Sequence, residues 1–152
     1  MHLQSLKAMV IKAALTCALF PSIGYCQDIK TTLSVSAEAF KNTKGQAIIA
    51  VYSSKETWLQ PDKAIRFQKV KPVTAEINVR FEGLAPGTYA VSVIHDENEN
   101  GKLDMRYFPI PRPREGAGVS NDARKSIGPP AWEDSRFTLS SVGTAIHIKI
   151  RY

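Results

Sequence analysis

Apolar and polar residues alternate along most of this chain, the period-2 signature of half-buried β-strands. Leu33, Val35, Ala37 and Ala39 alternate with Thr32, Ser34, Ser36 and Glu38. Val73, Ala75, Ile77, Val79 and Phe81 alternate with Thr74, Glu76, Asn78 and Arg80. Tyr89, Val91 and Val93 lead a further strand, and Phe137 and Leu139 make a short one. Ile146, Ile148, Ile150 and Tyr152 close the chain. The stretch Gly45 to Ser53 is apolar at successive positions, which predicts a central strand covered on both faces. The pattern predicts at least six strands, with space for another between residues 105 and 125.

One segment leaves the pattern. Residues 54–66 predict a short helical turn starting at Ser54 and limited by Pro61. Its Trp58, Leu59 and Ile65, with the adjoining Phe67, are placed over an open end of the core. Leu84 to Tyr89 (LAPGTY) reads as a turn, with Pro86 pre-set for an early turn position and Gly87 free to take positive φ. Short antiparallel strands separated by turns predict an all-β protein, a small antiparallel two-sheet sandwich of immunoglobulin-like or prealbumin-like form.

The N-terminus has a different composition. Lys7 and Lys12 precede an apolar run from Ala13 to Gly24, and no acidic residue occurs before Asp28. A dozen apolar residues suit a secretory signal and fall short of the ~20 that span a bilayer. Gly24 and Cys26 fit the small positions of a cleavage site, so residues 1–26 read as a signal peptide and 27–152 as a single exported domain, periplasmic or secreted. A lipoprotein site is disfavoured, because Tyr25 stands where a small residue is required before Cys26. At Cys17, cutting would leave most of the apolar run behind.

Export on these terms removes both cysteines, so the predicted mature domain has no disulfide and relies on its core. Removing Lys7 and Lys12 from the 20 basic residues leaves 18 against 14 acidic ones, a net charge near +4. The charge is dispersed and the compartment lacks nucleic acid, so it reads as a solvated surface, with contact to an anionic envelope surface as the alternative. The partners in view are an envelope protein, a glycan or a small ligand; after cleavage nothing remains to span a membrane.

The most specific local pattern is HDENENGKLD, residues 95–104. Asp96, Asn98, Asn100 and Asp104 occupy positions 1, 3, 5 and 9 of a calcium loop, Gly101 falls at position 6 and the Lys102 carbonyl at position 7. Oxygen ligands two residues apart in a tightly turning loop converge on one point. Ca2+ is accordingly the one cofactor the sequence suggests, in a weak site, with Glu115 available from the next loop. The departure is Tyr107 at position 12, where a bidentate Glu belongs. The competing reading is an Asx-rich turn whose side chains bond their own backbone.

Other chemistry is sparse. No serine sits in G-x-S-x-G, and neither H-E-x-x-H nor a phosphate-cradling glycine loop occurs. His95, Asp96 and Glu115 form the one acid–base set on which a small hydrolase-like enzyme could rest. His95 shares the parity of Val91 and Val93, which suits a histidine that orders the adjacent loop. Residues 107–130 are long, proline- and glycine-rich and basic, and a loop of that kind is functional or disordered. With the Asx loop it would make one recognition surface, carrying His95, Tyr107, Glu115, Ser120, Asn121 and Trp132; the competing reading is a loop that only covers a sheet edge.

At these residues the chain resembles a known family. The succession runs from Phe81 to Asp104 (F-x-G-L-x-P-G-x-Y-A-V-x-V-x-H-D-E-N-x-N-G-K-L-D), then Ile110–Pro111, Glu115 to Asn121, Pro129–Pro130 and Tyr152. It resembles the bacterial domain-of-unknown-function family 2141 (DUF2141). The resemblance implies an exported single-domain protein and brings no reaction or cofactor with it. The GLAPGTYAV portion is also similar to turns of prealbumin-like and carboxypeptidase-regulatory-like sandwiches, which are mostly accessory or adhesion modules. The leading expectation is therefore a non-enzymatic binding or envelope-accessory module. The alternatives are the hydrolase and a purely structural partner in a larger assembly.

Overall fold

The computed structural model describes residues 29–72 and 76–152; the predicted signal peptide with both cysteines, and Val73 to Ala75, lie outside the described residues. Two sheets face each other. The first runs β10-β1-β4, from Thr144–Lys149, Thr31–Glu38 and Glu76–Leu84. The second runs β3-β2-β5-β8, from Arg66–Val70, Gln46–Tyr52, Gly87–Asp96 and Gly116–Val119. The short β9 (Phe137–Leu139) pairs with the start of β5. A two-residue ribbon, β6 (Met105–Arg106) with β7 (Arg112–Pro113), stands apart, and one helical turn, α1, covers Trp132–Ser135. The protein is an all-β sandwich. One pairing departs from the expected antiparallel scheme: β10 runs parallel to β1.

Alternation does what it predicts in β1, where Leu33, Val35 and Ala37 are buried and the intervening residues are half-buried. Burying side chains such as Leu33 and Ile49 contributes about 1.5–3 kcal/mol each. The parity breaks in two places. Ala39 turns out of the strand with φ +67, so Phe40 replaces it in the core. A bulge between Thr31 and Leu33 lets Leu84 face inward three residues after Phe81. The positive φ expected at Gly87 falls at Gly83 (φ +73).

In β2 the residues Ala47, Ile49 and Val51 face the core, while Ala50 and Tyr52 are buried on the outer face. Residues 54–66 hold two separate 3-10 turns, Lys55–Thr57 and Pro61–Lys63. The expected plug over the core is formed only by Ile65. Trp58 packs edge-on against Tyr52 and Trp132, at 5.3 and 5.9 Å, on the outer face. Its Nε1–H donates to Pro130 O at 2.9 Å. Phe67 is 61% exposed: it lies in β3, a strand that alternation did not reveal, directly opposite Ala50, and cross-strand partners share a face.

The C-terminus ties the sheets together. After β10, Ile150 N–H donates to Glu38 O in the first sheet, and Arg151 exchanges two hydrogen bonds, 2.8 and 3.0 Å, with Ala117 of β8 in the second. The glycines of β8 make this crossing possible. A Cβ at Gly116 would stand 2.6 Å from Ile150 Cγ2 and 2.7 Å from Tyr152 Cζ.

Candidate functional site

The polar residues singled out by the sequence converge at one end of the second sheet. β5 delivers His95 and Asp96 there, paired with Ala47 and Gln46 of β2, and β8 begins immediately after Glu115. His95 is fully buried. Its ring meets Phe40 edge-on at 5.3 Å and Tyr152 at 6.0 Å. Nε2 lies 2.8 Å from Lys44 O, an oxygen that only accepts, so Nε2 carries the proton. Nδ1 then accepts from the Tyr152 hydroxyl, whose oxygen accepts from Lys41 N–H at 2.8 Å. Burial raises the Tyr152 phenol above its ordinary range; the Lys41 bond opposes this and the Glu97 charge adds to it.

Both carboxylates are consumed by neutral donors. Asp96, also fully buried, accepts from Asn100 N–H (3.1 Å) and Gly101 N–H (2.8 Å) and from the Gln46 side-chain amide (2.9 Å). Glu115 accepts Glu97 N–H at 2.9 Å and Asp104 N–H at 3.0 Å, so it clasps both ends of the loop. Gly45, at φ +66, lets the 44–46 turn lie against this end; its Cβ would fall 2.0 Å from Asp96 O.

The loop itself is stitched internally. Asn98 Oδ1 accepts Asn100 N–H at 3.1 Å and Asn100 Oδ1 accepts Lys102 N–H at 2.8 Å. The Nδ2 groups of Asn98 and Asn100 donate to Asp104 at 2.9 and 3.0 Å. These are the bonds of a self-bonded Asx turn. An ion here would have to displace both amides from Asp104 and compete for an Asp96 that already holds three donors. Among the described residues, no three His, Cys, Asp or Glu side chains come together in a way that could hold a metal.

As a hydrolase, the trio would need an open cleft. Instead His95, Asp96 and Glu115 lie buried, each held by partners, and among the described residues no buried side-chain polar atom lacks one. Two surface clefts, of about 380 and 270 Å3, contain none of the three.

The six-residue recognition surface is likewise redistributed. His95, Glu115, Ser120 and Trp132 are buried. The Ser120 hydroxyl accepts Val91 N–H at 2.9 Å and donates to Ser135 O at 2.6 Å. Asn121 is at the surface but its amide donates to Asp134 O and Arg136 O. Tyr107 alone stands free, 75% exposed. Sequence reasoning missed Gln46, the Lys44 carbonyl and the role of Tyr152. Only the closing Tyr in the motif succession was a signal, and it gave no hint of what the ring would touch.

The fold and its buried polar end define a small β-sandwich whose motif residues build a structural loop clasp. The chain belongs to the family described as uncharacterized protein conserved in bacteria (DUF2141), whose model matches residues 35–147. No curated protein and no solved structure matches it.

Proposed function

We propose that this chain is an exported, non-enzymatic binding or envelope-accessory module that works through its exposed loop surface. The observation carrying the reading is the fate of the reactive residues. Every polar atom of the His95 and Glu115 side chains, and both Asp96 oxygens, serve internal hydrogen bonds. Groups so held rigidify a loop; a general base must be free to reach a substrate proton. By contrast residues 106–114 are exposed without interruption. The basic, apolar N-terminal segment supports export.

Site-directed photo-crosslinking in living cells tests this. A photoreactive residue at Phe108 of the full chain is expected to give adducts in the exported fraction, to lipid, glycan or protein. The same residue at Val142, 94% exposed in the turn between β9 and β10, is expected to give none. Retention of the chain in the cytoplasm, or equal labelling from both positions, overturns the reading.

A further inference from the structure

The ribbon of β6 and β7 carries a tip that the rest of the sandwich leaves uncovered. Tyr107, Phe108 and Ile110 are 75%, 85% and 58% exposed, with Pro109 and Pro111 beside them. Exposed apolar side chains in such a cluster mark an interaction site. The flanks are wholly basic. Arg106 and Arg112 are direct cross-strand partners, so their side chains share one face of the ribbon, and like charges so placed repel. Arg114 stands two residues beyond, and no acidic residue occurs from Met105 to Arg114. Among the described residues, no carboxylate pairs with Arg106 or Arg112.

The positive charge continues beyond the ribbon. Pro113 lines the cleft of about 270 Å3, whose wall includes Arg124, Lys125 and Arg151 around Ala117 and Val119. An apolar point ringed by unpaired cations is complementary to a surface that is anionic outside and apolar beneath.

We infer that this prong is a peripheral anchor for an anionic lipid bilayer, the tip entering the acyl boundary and the arginines meeting headgroup phosphates. The inference rests on the binding-module reading and names its partner. A bilayer fits better than a protein because the prong is convex: nine consecutive exposed residues would need a matching pocket in a protein, whereas lipid closes around any shape. Aromatic side chains at the polar–apolar boundary and basic residues at the headgroups are the two forces of interfacial binding.

Vesicle flotation of the full chain tests it, using phosphatidylcholine alone and phosphatidylcholine doped with phosphatidylglycerol. Wild type is compared with Phe108→Ser/Ile110→Ser and with Arg106→Gln/Arg112→Gln, which share its N-terminus, so any background from that segment cancels. Partitioning onto anionic vesicles is expected to fall about fivefold per arginine removed and at least about tenfold for the tip pair. Phe108→Trp reports locally once the wild-type emission of Trp58 and Trp132 is subtracted: the difference spectrum should shift to the blue with anionic vesicles and not with neutral ones. Variants that float like wild type, or a wild type indifferent to phosphatidylglycerol, overturn the proposal. Should residue 108 then crosslink only to a protein or glycan, the binding-module reading stands and the lipid assignment fails.

Discussion

Two neighbouring stretches, residues 95–104 and 106–114, are similar in length and both rich in polar or charged side chains, yet they are treated in opposite ways. In the first, the Asp96 carboxylate and the His95 imidazole are buried and hydrogen-bonded, and the exposed amides of Asn98 and Asn100 bond Asp104 within the loop. In the second, three arginines and an apolar tip are exposed, and among the described residues no carboxylate pairs with the arginines. The contrast teaches how to weigh polar motifs. A group whose hydrogen bonds close within the fold has an explanation already, and a group whose cost is left standing points outward.

The largest effect should come from cutting the inner network. Asp96→Ala strands Gly101 N–H and the Gln46 amide and leaves Asn100 N–H only its Asn98 acceptor, at a cost of about 3–5 kcal/mol. Thermal unfolding should show a midpoint roughly 10–20 °C lower. Asp104→Ala, which frees only two surface amides, should cost below about 0.5 kcal/mol. Equal losses for the two would mean that the loop is held by something other than this network.

Next comes Tyr152→Phe, which leaves His95 Nδ1 and Lys41 N–H without a partner and should cost about 1–3 kcal/mol at neutral pH. Because burial raises the folded-state value, the protonated phenol is favoured by folding. Its contribution is complete below about pH 10 and is lost as pH rises through the folded value. Urea midpoints of wild type and Tyr152→Phe should therefore converge in alkali. A constant gap from neutral to alkaline pH would show that the hydroxyl does not carry this titration.

The smallest effect belongs to the outer stretch. Phe108→Ser/Ile110→Ser should leave stability within about 0.5 kcal/mol of wild type, since side chains this exposed contribute little to the core. A larger loss in urea unfolding would mean that the tip packs against the body, and the contrast between the two stretches would dissolve.

The sandwich was legible because alternation is a local property: once one face is buried, a period-2 pattern fixes which side chains enter the core, as in β1 and in β4 from Ile77 to Phe81. β3 escaped because Arg66–Val70 alternates weakly and Phe67 faces outward, opposite Ala50. The parallel pairing of β10 escaped for a different reason: strand order reflects how distant segments dock, and local periodicity does not encode it.

The sequence by itself determined the alternating core strands such as β1 and β4, the loop at 95–104 with its glycine at the bend, and the basic, proline-rich character of residues 106–114. Tertiary structure alone decided the roles. Whether His95 is a base or a strut depends on the Lys44 carbonyl, 51 residues away, and on Tyr152, 57 residues away. Whether Glu115 binds an ion or clasps a loop depends on which N–H groups reach it first. Whether Arg112 is one charge among many or half of an unpaired couple depends on its register with Arg106. A residue's chemistry is written in its type, but its availability is set by its neighbours, and only folding brings those neighbours together.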